Sequence, residues 1–264
     1  MSAVYGGSQL LGGTIGSIVG AAFIPDPTSG FLVFAAVVLI LPMMFPLLAP
    51  DYPNGDQQLR RSSVREVLKS FTFPRNAPDF YFALASRLVI LLGFNAVAGY
   101  QLYILTDYVA LTPGEAGSII TRASLITLVA AFAGSFVFGP LSDRIRRRKA
   151  IVILGALLMA AGILILLVAA APWAFLTFAG LAGVGMGIFL SVDAALLSEV
   201  LPNDETRGKD LGILNLSGSA GQVLAPAVSA AIIGIGFGFA PVFVIGAALS
   251  LAGAALIMPI KKVR

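Results

Sequence analysis

Eight long apolar runs, each near the length of a membrane span, constrain this chain more than any other feature. They cover about 3–24, 30–49, 79–109, 114–141, 150–171, 173–200, 211–236 and 239–260. A bilayer core about 30 Å thick is crossed by roughly 20 mainly apolar residues in helical form. Lipid offers no partner to backbone N–H and C=O groups, so a spanning segment must be a helix or part of a closed barrel. The runs lack the alternation of barrel strands. The expectation is an all-α, polytopic membrane bundle of about eight transmembrane helices. Breakers or charge stand at the joints: PDPTSG at 25–30, TPGEAG at 112–117, AAPW at 170–173 and PNDETRGKD at 202–210. Residues 1–24 carry no basic flank and run in series with seven further spans, which speaks against a signal peptide.

Composition agrees. Residues are 58% hydrophobic and 11% charged, with mean hydropathy +0.95. A water-facing surface commonly needs about a quarter of residues charged, so most of this surface must face lipid. No cysteine is present, which excludes thiol catalysis, disulfides and thiolate metal sites. No histidine is present either, which removes the usual proton switch near neutral pH and the commonest metal ligand. Neither a metal nor a cofactor is expected, and proton chemistry falls to carboxylates.

The basic residues sort by side. The joints after the second, fourth and sixth spans, with the C-terminus, hold fifteen of the seventeen Lys and Arg. The alternate joints hold none; only Arg87 and Arg122 remain, inside spans. That asymmetry places the basic loops and the C-terminus in the cytoplasm. It also makes the net charge of +4 a matter of topology and not of nucleic-acid binding. Ala/Gly-rich spans and compact loops suggest a bacterial inner membrane. Three regions follow: residues 1–49 with two spans, a polar joint at 50–78, and a six-span bundle at 79–264. Within the joint, Ser63 and Glu66 have capping-box spacing and Val64, Val67, Leu68 and Phe71 share a helical face. That pattern reads as a short amphipathic helix on the membrane surface or as a solvated linker helix.

The loop GPLSDRIRRRKA (139–150) holds more than charge. Its Gly139, Asp143, Arg144, Arg147, Arg148 and Lys149 resemble the cytoplasmic loop signature of the major facilitator superfamily, found between helices two and three and, more loosely, between eight and nine. Glycine permits close helix approach, and an Asp suits a neighbouring helix N-terminus. The resemblance implies a latch that holds two bundle halves in one conformation, with Gly139, Asp143, Arg144 and Arg147 in it. It implies too that the spans are helices five to twelve of a partial major facilitator fold. Residues 1–49 are then a remnant of the N-terminal half, with the first four helices missing. Parallel repeats are expected in this fold: at an offset of 209, Gly12, Gly16 and Gly20 fall on Gly221, Ala225 and Ser229, and Val33-Phe34 on Val242-Phe243. Residues 87–109 and 185–230 resemble sucrose-type and glycoside-pentoside-hexuronide cation symporters. GSQLLGGTIGSIVG (7–20) has the glycines but not the proline of a motif often found in drug antiporters.

Intramembrane polar groups are functional candidates by default, since a charge there costs about 2.5–3.5 kcal/mol on insertion scales. Arg87, Phe94, Gln101 and Tyr108 fall at seven-residue steps, with Asn95 beside them. Amides and rings suit the hydroxyls and ring face of a sugar. Arg87 either joins that stripe or snorkels to the headgroups. The expected substrate path is Asn95, Gln101, Arg122 and Asn215. Asp193 sits among Phe189, Leu190, Leu196 and Leu197, hostile to a carboxylate without a nearby cation. It either couples protons or another cation, or joins the latch by pairing with Arg144 or Arg147. Glu199 is a latch or surface charge.

The chain thus reads as a sugar or glycoside/proton symporter working by alternating access, with a small sugar-like or amphipathic solute, protons or Na+, and the bilayer as its partners. The alternatives are an efflux antiporter and a truncated or partner-dependent subunit that transports nothing. An enzyme is not expected, for no Ser/His, metal-ligand or phosphate-loop constellation is present.

Overall fold

The computed structural model describes residues 2–48, 73–74, 76–201 and 207–261. Its long helices are α1 (Ser2–Ala22), α2 (Pro27–Leu48), α3 (Pro78–Ala98), α4 (Pro113–Ile145), α5 (Arg148–Val168), α6 (Pro172–Val200), α7 (Arg207–Ile232) and α8 (Ala240–Ile257). No strand occurs among the described residues. Seven helices, α2 to α8, are long and apolar enough to cross a membrane, and α1 contributes the shorter apolar stretch Leu11–Ala22. The all-α membrane bundle expected from the sequence is the one observed. The helix expected within 50–78 lies outside the described residues.

Local chemistry places the joints. Asp26 precedes Pro27 and accepts from the Ser29 hydroxyl at 2.5 Å; that bond holds its carboxyl below the usual carboxylate range. Thr112 and Glu115 form a reciprocal capping box at the start of α4, with Pro113 in the first turn, where its missing N–H costs nothing. Arg146 ends α4 in the left-handed region at φ 52°. The single run read at 79–109 is broken. After Gly99 and Tyr100 the chain resumes as one turn, Gln101–Tyr103, and then a π turn, Ile104–Tyr108.

Contacts between neighbouring helices assemble the bundle. α6 packs between α4 and α5, α3 packs on α7 and α8, α8 also meets α5, and α1 lies against α4. In lipid the hydrophobic effect does not drive helices together, so close backbone approach through small residues matters most. The run GVGMG (183–187) serves two neighbours at once. A Cβ on Gly187 would land on Ala131 O of α4, and one on Gly185 would lie 2.5 Å from Gly155 O of α5. Between α3 and α8, a Cβ on Gly93 would lie 2.5 Å from Gly246 O. Hydroxyls add cross-helix bonds: Ser86 Oγ donates to Gly253 O at 2.9 Å and Ser229 Oγ to Ala96 O at 2.8 Å.

The basic end is tied together. Lys149 Nζ donates to Ile260 O, and the Lys261 N–H donates to the Asp79 carboxylate at 3.1 Å. The far end of the chain is thereby pinned to the starts of α5 and α3. α2 differs from all of this. It is exposed along nearly all of its described length, with Phe31 at 78%. The small-residue echo does not carry over to packing either. A Cβ on Gly221 would meet Leu88 O at 2.7 Å, whereas nothing stands within 4 Å of Gly12 or Gly16.

Candidate functional site

A cavity of about 340 Å³ opens between α1, α3, α4 and α6. One wall is aromatic: Phe94 of α3 and Phe175 and Phe178 of α6, with ring centroids 6.5 Å (Phe94–Phe178) and 5.7 Å (Phe175–Phe178) apart. Amides and hydroxyls are set against it, from Asn95 and Gln101, from Ser124 and Thr127 of α4, and from Thr14 and Ser17 of α1. No charged side chain is among the described lining residues. The Asn95 amide donates to Leu91 O at 2.8 Å, which leaves its carbonyl oxygen to accept. Thr127 Oγ1 donates to Ala179 O at 3.2 Å and so holds α4 to α6 at the cavity edge.

Of the four residues expected on the path, the structure brings Asn95 and Gln101 together here. Arg122 and Asn215 are exposed on α4 and α7 and do not line this cavity. Asn215 instead shares one exposed face of α7 with Ser219 and Gln222, which recur at helical spacing. Tyr108 also leaves the α3 stripe. The break at Gly99 and the π turn shift its register, so its hydroxyl donates to Leu166 O at 2.8 Å and its ring packs on Phe239 and Phe243. The sequence reading missed Thr14, Ser17, Ser124, Thr127, Phe175 and Phe178. Small hydroxyls and phenylalanines on a spanning helix look like packing residues, and only the pairing of Ser124 with Thr127 and of Phe175 with Phe178 at three-residue spacing marks a common face.

Two helical turns from the cavity, toward the basic end, lies a buried charge pair. Arg87 is seven residues from Phe94 on α3, and Asp193 is seven from Met186 on α6, each about 10 Å along its helix. Arg87 Nη1 donates to Asp193 Oδ2, with side chains 17% and 9% exposed. The partner expected for Asp193 was Arg144 or Arg147, and that pairing is not formed. Arg144, in the last turn of α4, and Arg147, just after it, are both exposed and make no ion pair among the described residues. Asp193 instead points across the bundle to α3. Arg87 accordingly neither snorkels to the surface nor lines the cavity. α7 makes room for it: a Cβ on Gly218 would lie 2.8 Å from Arg87 Nε. That Nε is buried without a hydrogen-bond partner.

A second network lies at the rim. Arg148, the first residue of α5, pairs with Glu199 of α6 and with Asp143 of α4, the latter at 3.1 Å. Asp143 is mostly exposed, at 69%. Gly139 sits against Ser191, its added Cβ 3.6 Å from that of Ser191. The loop motif therefore joins three helices, but the arginine that does so is Arg148. Arg144 and Arg147 are exposed, on either side of the left-handed Arg146 that ends α4. No group of three or more potential metal-ligating side chains clusters among the described residues.

A bundle of spanning helices around a solute-sized, uncharged cavity, with buried charge beneath it, defines a class: polytopic membrane proteins that carry small molecules across a bilayer. The family model of the Major Facilitator Superfamily matches residues 83–264, and the chain belongs to that superfamily, whose members are transporters. No curated protein matches the chain.

Proposed function

We propose that this protein is a secondary active transporter of a small, uncharged, sugar-like solute, moved together with protons or Na+ by alternating access. In this reading the basic loops face the cytoplasm, as the distribution of Lys and Arg favours, and the membrane is the bacterial inner membrane. One observation carries the reading: the cavity pairs an aromatic wall with a ring of amides and hydroxyls and holds no charge. A sugar has two such faces, apolar C–H on one and hydroxyls on the other. A charged solute would find no counter-ion there.

Asp193 with Arg87 is the proposed coupling site. A cation reaching Asp193 competes with Arg87 and loosens the tie between α3 and α6. Gly139, Asp143, Arg148 and Glu199 form the proposed latch, with Arg144 and Arg147 setting the local field. Arg122 and the Asn215 face are proposed to border the path outside the cavity, since exposed polar groups in a spanning helix need water or protein beside them.

Efflux of an amphipathic compound is a second reading, favoured by Phe94, Phe175, Phe178 and Met186 on the cavity wall. Membrane vesicles containing the protein separate the two. Under the symport reading, a member of a panel of neutral sugars and glycosides accelerates proton or Na+ entry. Expulsion of a lipophilic dye driven by an imposed gradient, with no response to any sugar, overturns it.

A further inference from the structure

Behind the cavity, on the far side of α6, a second hollow opens at the basic end. Gly139, Ser142 and Asp143 of α4 face Ser191, Ala195 and Ser198 of α6 across about 350 Å³. At 100° per residue, Ser191 points about 200° away from Asp193. The hollow therefore looks outward, away from the charge pair and the cavity. It lies where α4 and α6 reach the bilayer surface.

Its polar inventory is uneven. Ser191 and Ser198 donate to Ile188 O and Ala195 O on their own helix, at 3.0 and 2.7 Å. Ser142 does not: it is 2% exposed, and its Oγ is buried with no hydrogen-bond partner. A buried hydroxyl without a partner costs free energy comparable to a lost hydrogen bond, so a ligand that accepts from it is favoured. The charge of that ligand follows from the neighbouring turn. Arg148 is already committed to Asp143 and Glu199, while Arg144, Arg146 and Arg147 stand exposed. No side chain caps the start of α5, which adds the positive end of a helix dipole. On the same side of α4 as Gly139 and Asp143, Phe136 (74% exposed) stacks on Phe132 with ring centroids 6.1 Å apart and forms a short apolar track.

The geometry points to a binding site for the headgroup of an anionic phospholipid. A phosphate oxygen accepts from Ser142, the free arginines of the turn balance the charge, and an acyl chain lies along Phe136 and Phe132. An exposed basic cluster at a membrane surface favours anionic over zwitterionic lipid, and the buried hydroxyl fixes where the headgroup sits. Lipid bound there braces α4 against α6 beside the rim network.

The test uses purified full-length protein in a neutral detergent, titrated separately with phosphatidylglycerol and with phosphatidylcholine of matched chains, and read by native mass spectrometry and thermal unfolding. Phosphatidylglycerol is expected to bind at least about tenfold more tightly, two or three arginines each favouring it by a few-fold. R144Q/R147Q, both exposed and so expected to fold, should abolish that preference, and S142A should weaken it. R60Q/R61Q, in the other basic joint, should leave it unchanged. Equal binding of the two lipids overturns the proposal, as does a preference that survives R144Q/R147Q. An equal shift produced by inorganic phosphate alone overturns the lipid assignment.

Discussion

Arg87 with Asp193, and Arg148 with Asp143 and Glu199, bring the same two kinds of group together at different depths. The inner pair is nearly enclosed and links α3 to α6 beneath the cavity. The rim network is open to water on its Asp143 side and links α4, α5 and α6. Depth decides what each can do. A buried pair whose partner is removed leaves a stranded charge, costing about 3–5 kcal/mol, while a rim pair is screened and worth about 0–1 kcal/mol. The inner pair can therefore gate a conformational step with a large free-energy lever. The rim network can bias the step only slightly, and chiefly through geometry.

The sharpest way to break this contrast is Asp193→Ala, which strands Arg87 in an apolar interior. A loss near 3–5 kcal/mol is expected, seen as lower folded yield and an earlier thermal transition in detergent. The double change Arg87→Met with Asp193→Leu should regain most of that stability while transport stays lost. A double variant that transports normally would remove the pair from the mechanism. Next in size is Gly218→Ala, whose methyl would crowd Arg87 Nε and, at 3.2 Å, Leu91. Overpacking of this kind costs about 1–3 kcal/mol. Combined with Arg87→Met the cost should shrink, since contacting residues are not additive; full additivity would mean Gly218 does not shape the Arg87 site.

Asn95→Leu should come third. It removes one acceptor from the cavity wall, so KM for the transported solute should rise about tenfold, with thermal stability little changed. The smallest stability effect belongs to the rim. Asp143→Ala should shift stability by less than about 1 kcal/mol and leave membrane insertion intact, yet reduce transport. Undiminished transport in that variant would end the latch reading.

Seven of the eight spans were legible because lipid makes one demand on every crossing segment, and a run such as 150–171 meets it without help from its neighbours. The loop motif was legible as a motif, and two of its members, Asp143 and Arg148, do meet at the rim. Partner choice was not. Asp193 and Arg87 are 106 residues apart, and nothing local in FLSVDAALL says which face of α6 meets α3. The stripe drawn through Arg87, Phe94, Gln101 and Tyr108 failed at its ends for different reasons. Arg87 is drawn sideways by a charge on another helix, and Tyr108 lies beyond a break and a π turn that a steady 3.6-residue period does not foresee. Asn95 and Gln101 stood out because amides are rare in spans, whereas Thr14 and Ser17 did not, because small hydroxyls are ordinary helix-contact residues.

The most direct test of the coupling role given to the inner pair compares Asp193→Asn with the unaltered protein in proteoliposomes, reading two reactions of one solute. Counterflow exchanges solute without net ion movement, while accumulation against a gradient needs the coupling ion. Asp193→Asn should keep counterflow within a few-fold and lose gradient-driven accumulation. Accumulation that persists in Asp193→Asn would contradict that role.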